Sequence, residues 1–564
     1  MADTGAPTAT GGPPVDPGGG PRIDHLVVLM LENHSFDHLL GFLRHPAAGF
    51  DGLTPGRFSN PDGQGVAVPV SADGVPWGVD PDHSHEGALA QIGRAGDVAT
   101  NGGFVRSYET VAGPGEGGVI MRCLDPDVHC PALATLAREF ALCTGWFSSL
   151  PGETWPNRNF AHAATSGGTV NIEGGLYYDR TIFELLGKHK ATWRIYYDGT
   201  PEVWCYPRLW RPTTFVDFLL RRRSRIGNWF ESVQFADHAR RGDLATYSFI
   251  EPAHNGFYSP AGAPRRTNSQ HPHNNAETDD DFRAGDALIA SVYESLRANP
   301  DLFARTLLVV TYDEHGGLYD HVRPPATFPP ADHSWRGLTR RLGAWLRALA
   351  DRRAHRPTSP RFDFRRLGVR VPTVLVSPWI APHTLVPEVL EHASLPATLR
   401  ALFAPDAAPL TNRDRHAATF AAVVAGSGLA RPRPAPGHAE PGGPPPVPDL
   451  GGLAADRPGG GAPLAAPSPG AVPSPGPPAA PGTSASPVAT GAVDRELVAL
   501  AARVEAKLRR HPTTVAARRR AARAGATEAL AARTGEVFPA DQAVSLFRAS
   551  AKTARRRPVT RPPG

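Results

Sequence analysis

The chain has 564 residues, 41% hydrophobic and 8% aromatic, with a formal net charge of +5 and a pI near 9.1. That length buries at least one large core, and the four cysteines, Cys123, Cys130, Cys143 and Cys205, form no CxxC or Cys/His spacing, which excludes a zinc finger and a disulfide-stapled scaffold. The charge excess is local: from Gly491 onward basic residues outnumber acidic ones by roughly ten, so the remainder is mildly acidic.

Residues 1–20, MADTGAPTATGGPPVDPGGG, lack the basic and apolar regions of a secretory signal and carry no twin arginine. They read as a disordered leader, and the expected location is cytoplasmic or peripheral to a membrane, with export left open. No apolar run reaches the roughly eighteen residues of a membrane span. Residues 21–430 alternate apolar runs (IDHLVVLML, TWRIYYD, ATYSFIEP, TLLVVTYDE, VPTVLVSPW) with helical patterns such as FVDFLLRRRS and GDALIASVYESLRANP. Such alternation predicts an α/β fold with a mainly parallel sheet buried on both faces. Cys123 and Cys130 either close a short loop or remain buried thiols. Residues 431–490 are Pro/Gly-rich and read as a linker. Residues 491–564 carry two helical patterns and the clusters Arg518-Arg519-Arg520 and Arg555-Arg556-Arg557. That basic tail suits an anionic membrane surface, or is merely solvated, and without interleaved aromatics it predicts no specific nucleic-acid contact.

Polar groups gather where the strands end. LVVLML runs into Glu32-Asn33-His34-Ser35-Phe36-Asp37-His38, and LLVVTY runs into Asp313-Glu314-His315-Gly316-Gly317. Parallel strands deliver both clusters to one sheet edge, where crowded carboxylates either hold a cation or pair with Arg and Lys. Oxygen-rich donors suit a divalent metal without choosing which. A third segment, Ser148-Ser149-Leu150-Pro151-Gly152-Glu153-Thr154-Trp155-Pro156-Asn157-Arg158, follows the helix-like LATLAREFALC. Thr154 there is either a plain N-cap or a hydroxyl set at a helix N-terminus, where backbone N–H groups favour an oxyanion.

Taken together, ENHSFDHLLGF, LPGETWPNR and TYDEHGGLYDHVRPP resemble the three motifs of the phosphoesterase family that contains bacterial and plant non-specific phospholipases C and an acid phosphatase branch. DPDHSHEGALAQI, GGFVRSY, YSFIEP, HPHNN and GVRVPTVLVSPWI extend the resemblance over nearly all of residues 21 to 405. It implies an alkaline-phosphatase-like three-layer sandwich with Thr154 as nucleophile. A divalent metal ion of unspecified identity would be held by Glu32, Asn33 and Asp313, with Glu314 beside them and the Thr154 hydroxyl on the same ion. His83, His254 and His271 match the family's pocket histidines, with His273 a weaker substitute for His271. His392 stands where the family often has His-Thr-Ser, but Ala393 interrupts the pattern. Two further departures are Glu153, beside the nucleophile in place of a small residue, and His34, where the family often has Arg.

The resemblance implies a phosphoric ester hydrolase, expected as a phospholipase C that cleaves glycerophospholipid to diacylglycerol and a phosphorylated head group through a phosphothreonine. The same site serves a phosphatase or phosphodiesterase acting on soluble esters. A non-catalytic lipid-binding scaffold is the third reading, and the joint presence of Thr154, Glu32, Asn33 and Asp313 opposes it.

Overall fold

The runs HLVVLML and TLLVVTY carry apolar or β-branched side chains at almost every position, so neither strand has a face suited to water. Eight strands form the central sheet: β1 (His25–Leu31), β2 (Ala141–Cys143), β3 (Trp193–Tyr197), β4 (Trp229–Glu231), β5 (Tyr247–Glu251), β6 (Thr306–Tyr312), β7 (Thr373–Val376) and β8 (Thr384–Val386). Their spatial order is β8-β2-β7-β6-β1-β5-β3-β4. β3, β5, β1 and β6 are mutually parallel, β8 is parallel to β2, and β7 runs antiparallel to both its neighbours. This computed structural model describes residues 21–75, 79–95, 98–172, 177–198, 201–209, 229–254, 267–272, 280–330, 362–426, 428–439 and 441–454. The leader, the FVDFLLRRRS pattern, His273 and everything after residue 454, including the basic tail, lie outside the described residues.

The helices that bear on the site are α1 (Phe36–Leu40), α2 (His85–Ile92), α3 (Pro131–Glu139), α4 (Thr154–Ala163), α5 (Ile182–Lys188), α6 (Val233–Arg240), α7 (Asp280–Arg297), α8 (Ser394–Phe403) and α9 (Gly451–Ala454). α3, α6 and α9 pack on α7, while α4 and α5 pack on α8. A sheet buried at every position of β1 after His25 and throughout β6 needs a helical layer on each face. The result is the expected three-layer α/β architecture. The helix-like LATLAREFALC is divided: α3 stops at Glu139, Phe140 leaves helical geometry at φ −134°, and Ala141–Cys143 become β2.

The chain divides into two compact units, Met1–Glu173 with Tyr177–Leu209 and Phe230–Pro463 in the first, and Gly174–Leu176, Trp210–Trp229 and Leu464–Gly564 in the second. Apart from Trp229, the second unit lies outside the described residues. Within the first, the linker boundary read at residue 430 is corrected. Arg433 is buried, and its guanidinium bonds Glu139 Oε2 at 2.7 Å, Pro445 O at 3.1 Å and Pro446 O at 2.8 Å. Tyr293 donates to Pro448 O at 2.8 Å, and Val447 and Leu450 are buried. Proline-rich chain loses little backbone entropy on ordering, and one arginine that satisfies several carbonyls fixes it. All four cysteines are buried and free, so the Cys123–Cys130 bridge does not form.

Candidate active site

Leu31 pairs with Tyr312 across the β1–β6 ladder. The next residues, Glu32 and Asp313, therefore leave the sheet side by side, and Glu251 ends the neighbouring β5. Asn33 adopts φ +60°, a left-handed conformation that Asn tolerates. In that turn its backbone N–H donates to Asp313 Oδ1 at 3.1 Å, while its carboxamide faces Thr154 and His271. Gly316, at φ +64°, closes the opposite wall, where a Cβ would lie 2.1 Å from the Asn33 carbonyl oxygen. Only glycine meets both demands.

Thr154 is the first residue of α4, preceded by Glu153, whose side chain makes no cap hydrogen bond. The plain N-cap reading of Thr154 therefore does not hold. Asn157 pins the preceding loop instead: its Oδ1 accepts from Leu150 N at 3.1 Å and its Nδ2 donates to Gly152 O at 2.9 Å. The Thr154 hydroxyl is left to donate to Asn33 Oδ1 at 3.3 Å. Four residues on, hence on the same helical face, fully buried Arg158 donates from Nε to Asp313 Oδ2 at 2.9 Å. Its other nitrogens reach Met30 O at 3.1 Å and Leu31 O at 3.0 Å, and lie 3.8 Å from Glu251 Oε2. One guanidinium thus ties together the ends of β1, β5 and β6.

His254 lies with Nδ1 2.8 Å from Glu32 Oε1 and Nε2 3.1 Å from Glu251 Oε2. His271 Nε2 is 3.0 Å from Asn33 Nδ2. Because the amide nitrogen must donate there, Nε2 is unprotonated and the ring proton sits on Nδ1. His83 meets His271 edge to face at 5.4 Å, and its Nδ1 donates to Pro81 O at 3.0 Å. All the residues named from the motifs, Glu32, Asn33, His83, Thr154, His254, His271, Asp313 and Glu314, fall in one contiguous site. His273 lies outside the described residues.

Electrostatics follow from crowding. Burial pushes Asp313 up to about 7 against the pull of Arg158, with the Glu32 and Glu314 charges adding to the rise. Burial likewise pushes Glu314 up to about 7, although His83 opposes it. Burial alone would raise Glu32 too, yet His254, His271 and Arg158 together hold its carboxyl well below the usual range. For His83, burial is outweighed by Glu314 and Asp80, which raise it to about 9; for His254, burial is outweighed by Glu32, with the same result. His271 is lowered by burial. Of the two alternatives for the crowded carboxylates, pairing with arginine is realised at Asp313. Its partner there is Arg158, while Glu32 Oε2 and Glu314 Oε1 are buried with no hydrogen-bond partner among the described residues. Two orphan carboxylate oxygens beside an amide oxygen and a hydroxyl are a hard-oxygen donor set that fits a divalent cation.

Among the described residues, three other groupings bring potential ligand atoms within 4.8 Å of one another. Asp80, His83 and His271 lie at the site itself, and His162, Glu202 and Glu251 lie beneath it, next to Arg158. Asp37, Asp320 and His321 are instead closed by Arg370, which reaches Asp37 Oδ1 at 2.9 Å and Asp320 Oδ2 at 3.2 Å. His321 Nδ1 lies 2.6 Å from Asp37 Oδ2, and its Nε2 lies 3.2 Å from Asp51 Oδ2. Burial would lower His321, but Asp37 and Asp320 raise it to about 9. With the folded value above the unfolded one, this ion pair stabilises fully below pH 6.5 and is lost as pH rises through about 9. Urea unfolding of the wild type should accordingly show a stability loss of about 1–3 kcal/mol across that window. His321→Asn should make the profile shallower, the slope that remains in this window belonging to His83 and His254, which are raised to the same value, and an unchanged slope would remove His321 as a cause.

The departures noted in the sequence resolve locally. Glu153 accepts a hydrogen bond from the backbone N–H of Ile172, and burial raises its pKa while the nearby His83 pulls it down. His34 takes no place among the pocket groups: it stacks on His38 at 5.0 Å and bonds Gln270 O at 2.8 Å. His392, weakened by Ala393 in the sequence, bonds the Asp313 carbonyl oxygen at 2.5 Å and accepts from Trp146 Nε1 at 3.3 Å, so it supports the loop after β6. Sequence reasoning missed Arg158 and Glu251. The available signal for Arg158 was its position one helical turn beyond Thr154.

A hydroxyl at a helix N-terminus, ringed by carboxylates, an amide and imidazoles at strand ends, is the equipment of a phosphoric ester hydrolase. The profile described as Phosphoesterase family matches residues 23–404, and the chain belongs to that family. It is 35% identical over 429 residues to non-specific phospholipase C6 of Arabidopsis thaliana, covering 73% of each chain. Against phospholipase C B of Mycobacterium tuberculosis it is 28% identical over 425 residues, covering 69% of this chain and 74% of that one. Among solved structures, the phosphonate monoester hydrolase of Agrobacterium radiobacter aligns over 72% of this chain and 77% of its own, at 10% identity and a TM-score of 0.30. A Vibrio parahaemolyticus protein of the alkaline phosphatase superfamily aligns over 70% and 69%, at 10% identity and a TM-score of 0.28.

Proposed function

We propose that the protein is a phospholipase C that cleaves glycerophospholipid to diacylglycerol and a phosphorylated head group, with Thr154 as nucleophile. The observation that carries the reading is the Thr154 hydroxyl at the start of α4, hydrogen-bonded to Asn33 beside Asp313, Arg158 and two unpartnered carboxylate oxygens.

The phosphodiester is drawn to the N-terminus of α4, whose backbone N–H groups face an anion, and to the imidazoles of His83, His254 and His271. Asn33 orients the Thr154 hydroxyl through Oδ1. Arg158 keeps Asp313 in place and spreads positive charge beneath the site. Thr154 Oγ1 gives its proton to one of the surrounding carboxylates and forms the new bond to phosphorus as the bond to the diacylglycerol oxygen breaks, while a protonated imidazole, His83 or His254, gives its proton to that leaving oxygen. Water then gives one proton to the emptied imidazole and displaces Oγ1 from phosphorus, and the protonated carboxyl returns its proton to Oγ1, releasing the phosphorylated head group and restoring the hydroxyl. A divalent cation held by Glu32, Asn33, Thr154, Asp313 and Glu314 would supply Lewis acidity, stabilising the threonine alkoxide and the charge on phosphate oxygens.

Phosphorus NMR of products from mixed phospholipids, run beside p-nitrophenyl phosphate esters, tests the substrate class. Phosphocholine or phosphoethanolamine should appear from the lipids. Reaction of the soluble esters alone would replace the reading with that of a phosphatase or phosphodiesterase.

A further inference from the structure

Beside the catalytic pocket lies an open groove lined by Val75, Val79, Tyr108, Val119, Ile120 and Leu318, with Arg122 and the His34 and His38 rings also lining it. Its interior space is about 40 Å³, room for a few methylene groups rather than for a whole ligand. Single exposed apolar side chains are ordinary on protein surfaces. Here, however, three of the ten large hydrophobic residues exposed among the described residues, Val75 at 38%, Val79 at 53% and Val119 at 41%, line the same groove.

Continuity with the pocket sets this groove apart. Pro81 lines it, and the Pro81 carbonyl oxygen accepts the hydrogen bond that orients His83. Pro272 lines it and directly follows His271, whose ring meets Asn33. Leu318 lines it and follows the Gly316-Gly317 turn, where Pro81 packs so closely that a Cβ on Gly317 would lie 2.7 Å from Pro81 Cβ. The three segments that carry His83, His271 and Glu314 to the reacting phosphate thus turn apolar residues into the groove. The groove and the imidazole cluster are therefore built on the same three chain segments.

We propose that this groove holds the first part of one acyl chain of the phospholipid whose phosphate occupies the catalytic pocket. The proposal rests on the phospholipase C reading and extends it. The groove's volume accommodates part of one chain, so the second chain stays outside it.

The test uses the full-length protein and a series of monomeric phosphatidylcholines of increasing acyl length, all below their micelle concentrations, with p-nitrophenyl phosphorylcholine as the chain-free substrate. Wild-type kcat/KM should rise about two- to fourfold for each of the first few methylenes added per chain. The double variant Val79→Asp/Val119→Asp should give a nearly flat series, while its turnover of p-nitrophenyl phosphorylcholine, which also reports folding, stays at the wild-type level. Retention of the wild-type slope would overturn the groove, as would equal losses on lipid and chain-free substrate. A wild type that cleaves the chain-free ester but no phosphatidylcholine would fail at the phospholipase C reading itself, and the groove would fall with it. The two failures are therefore separable.

Discussion

Thr154→Ala should lower phosphodiester hydrolysis by about 10⁴-fold or more, because every other group at the site acts on an attack that the hydroxyl itself makes. The side chain is small and 6% exposed, and its hydroxyl donates to Asn33 Oδ1. Its removal should therefore leave unfolding almost unchanged, and substrate affinity should persist because the imidazoles and the helix N-terminus remain. Acid quenching of the wild type during turnover of a phosphorus-labelled substrate should trap label on the protein at Thr154, as phosphothreonine ester survives acid. Thr154→Ser should keep both turnover and labelling, since serine places the same oxygen at the same position. Undiminished turnover by Thr154→Ala would end the proposed mechanism. Loss of turnover with no trapped label in the wild type would instead make Thr154 an orienting group for water.

Removal of divalent cations should abolish activity, and the same loss should appear in part when a single donor is altered. Glu32→Gln keeps the size of the side chain and its contact with His254 while deleting a charge whose Oε2 has no partner among the described residues. A loss of at least about 10²-fold is expected. Thermal unfolding gives a readout independent of turnover. Chelator-treated wild type holds Glu32, Asp313 and Glu314 close together with too little positive charge, so adding back magnesium, calcium, manganese or zinc should raise Tm. A cation present at a hundred times its Kd contributes about 2.7 kcal/mol. In Glu32→Gln the same additions should move Tm less. If no cation raises Tm or restores activity in the wild type, the orphan oxygens serve some other purpose, and the site works through Arg158 and its histidines alone.

Two of these expectations meet at Arg158. Its guanidinium bonds one Asp313 oxygen and two carbonyls of β1, which leaves Asp313 partly neutralised before any cation arrives. A buried arginine among four carboxylates, Asp313, Glu251, Glu32 and Glu202, is thus a fixed counter-charge that allows so many acids to gather at one sheet edge. Glu314 accepts from Gly316 N through Oε2, and its Oε1 has no hydrogen-bond partner among the described residues.

The amino-acid sequence by itself determined the layer architecture and the gathering of the site. Uninterrupted apolar runs such as LVVLML and TLLVVTY can only be strands covered on both sides, and parallel strands bring the residues at their carboxyl ends to one edge. Glu32 and Asp313 were therefore legible as neighbours before any register was known, and family membership fixed Thr154 opposite them. Tertiary structure alone decided the remainder, because those features depend on partners hundreds of residues away. Whether Asp313 faces a cation or an arginine turns on Arg158, 155 residues distant. His34 left the pocket because Gln270 and His38 were nearer, and Glu153 accepted from the Ile172 backbone. Composition placed a linker after residue 430, yet Arg433 found Glu139 and the Pro445 and Pro446 carbonyls, and the described proline-rich residues around them packed down with it. Periodicity reports what a segment buries, whereas only the folded chain settles which buried charge meets which partner.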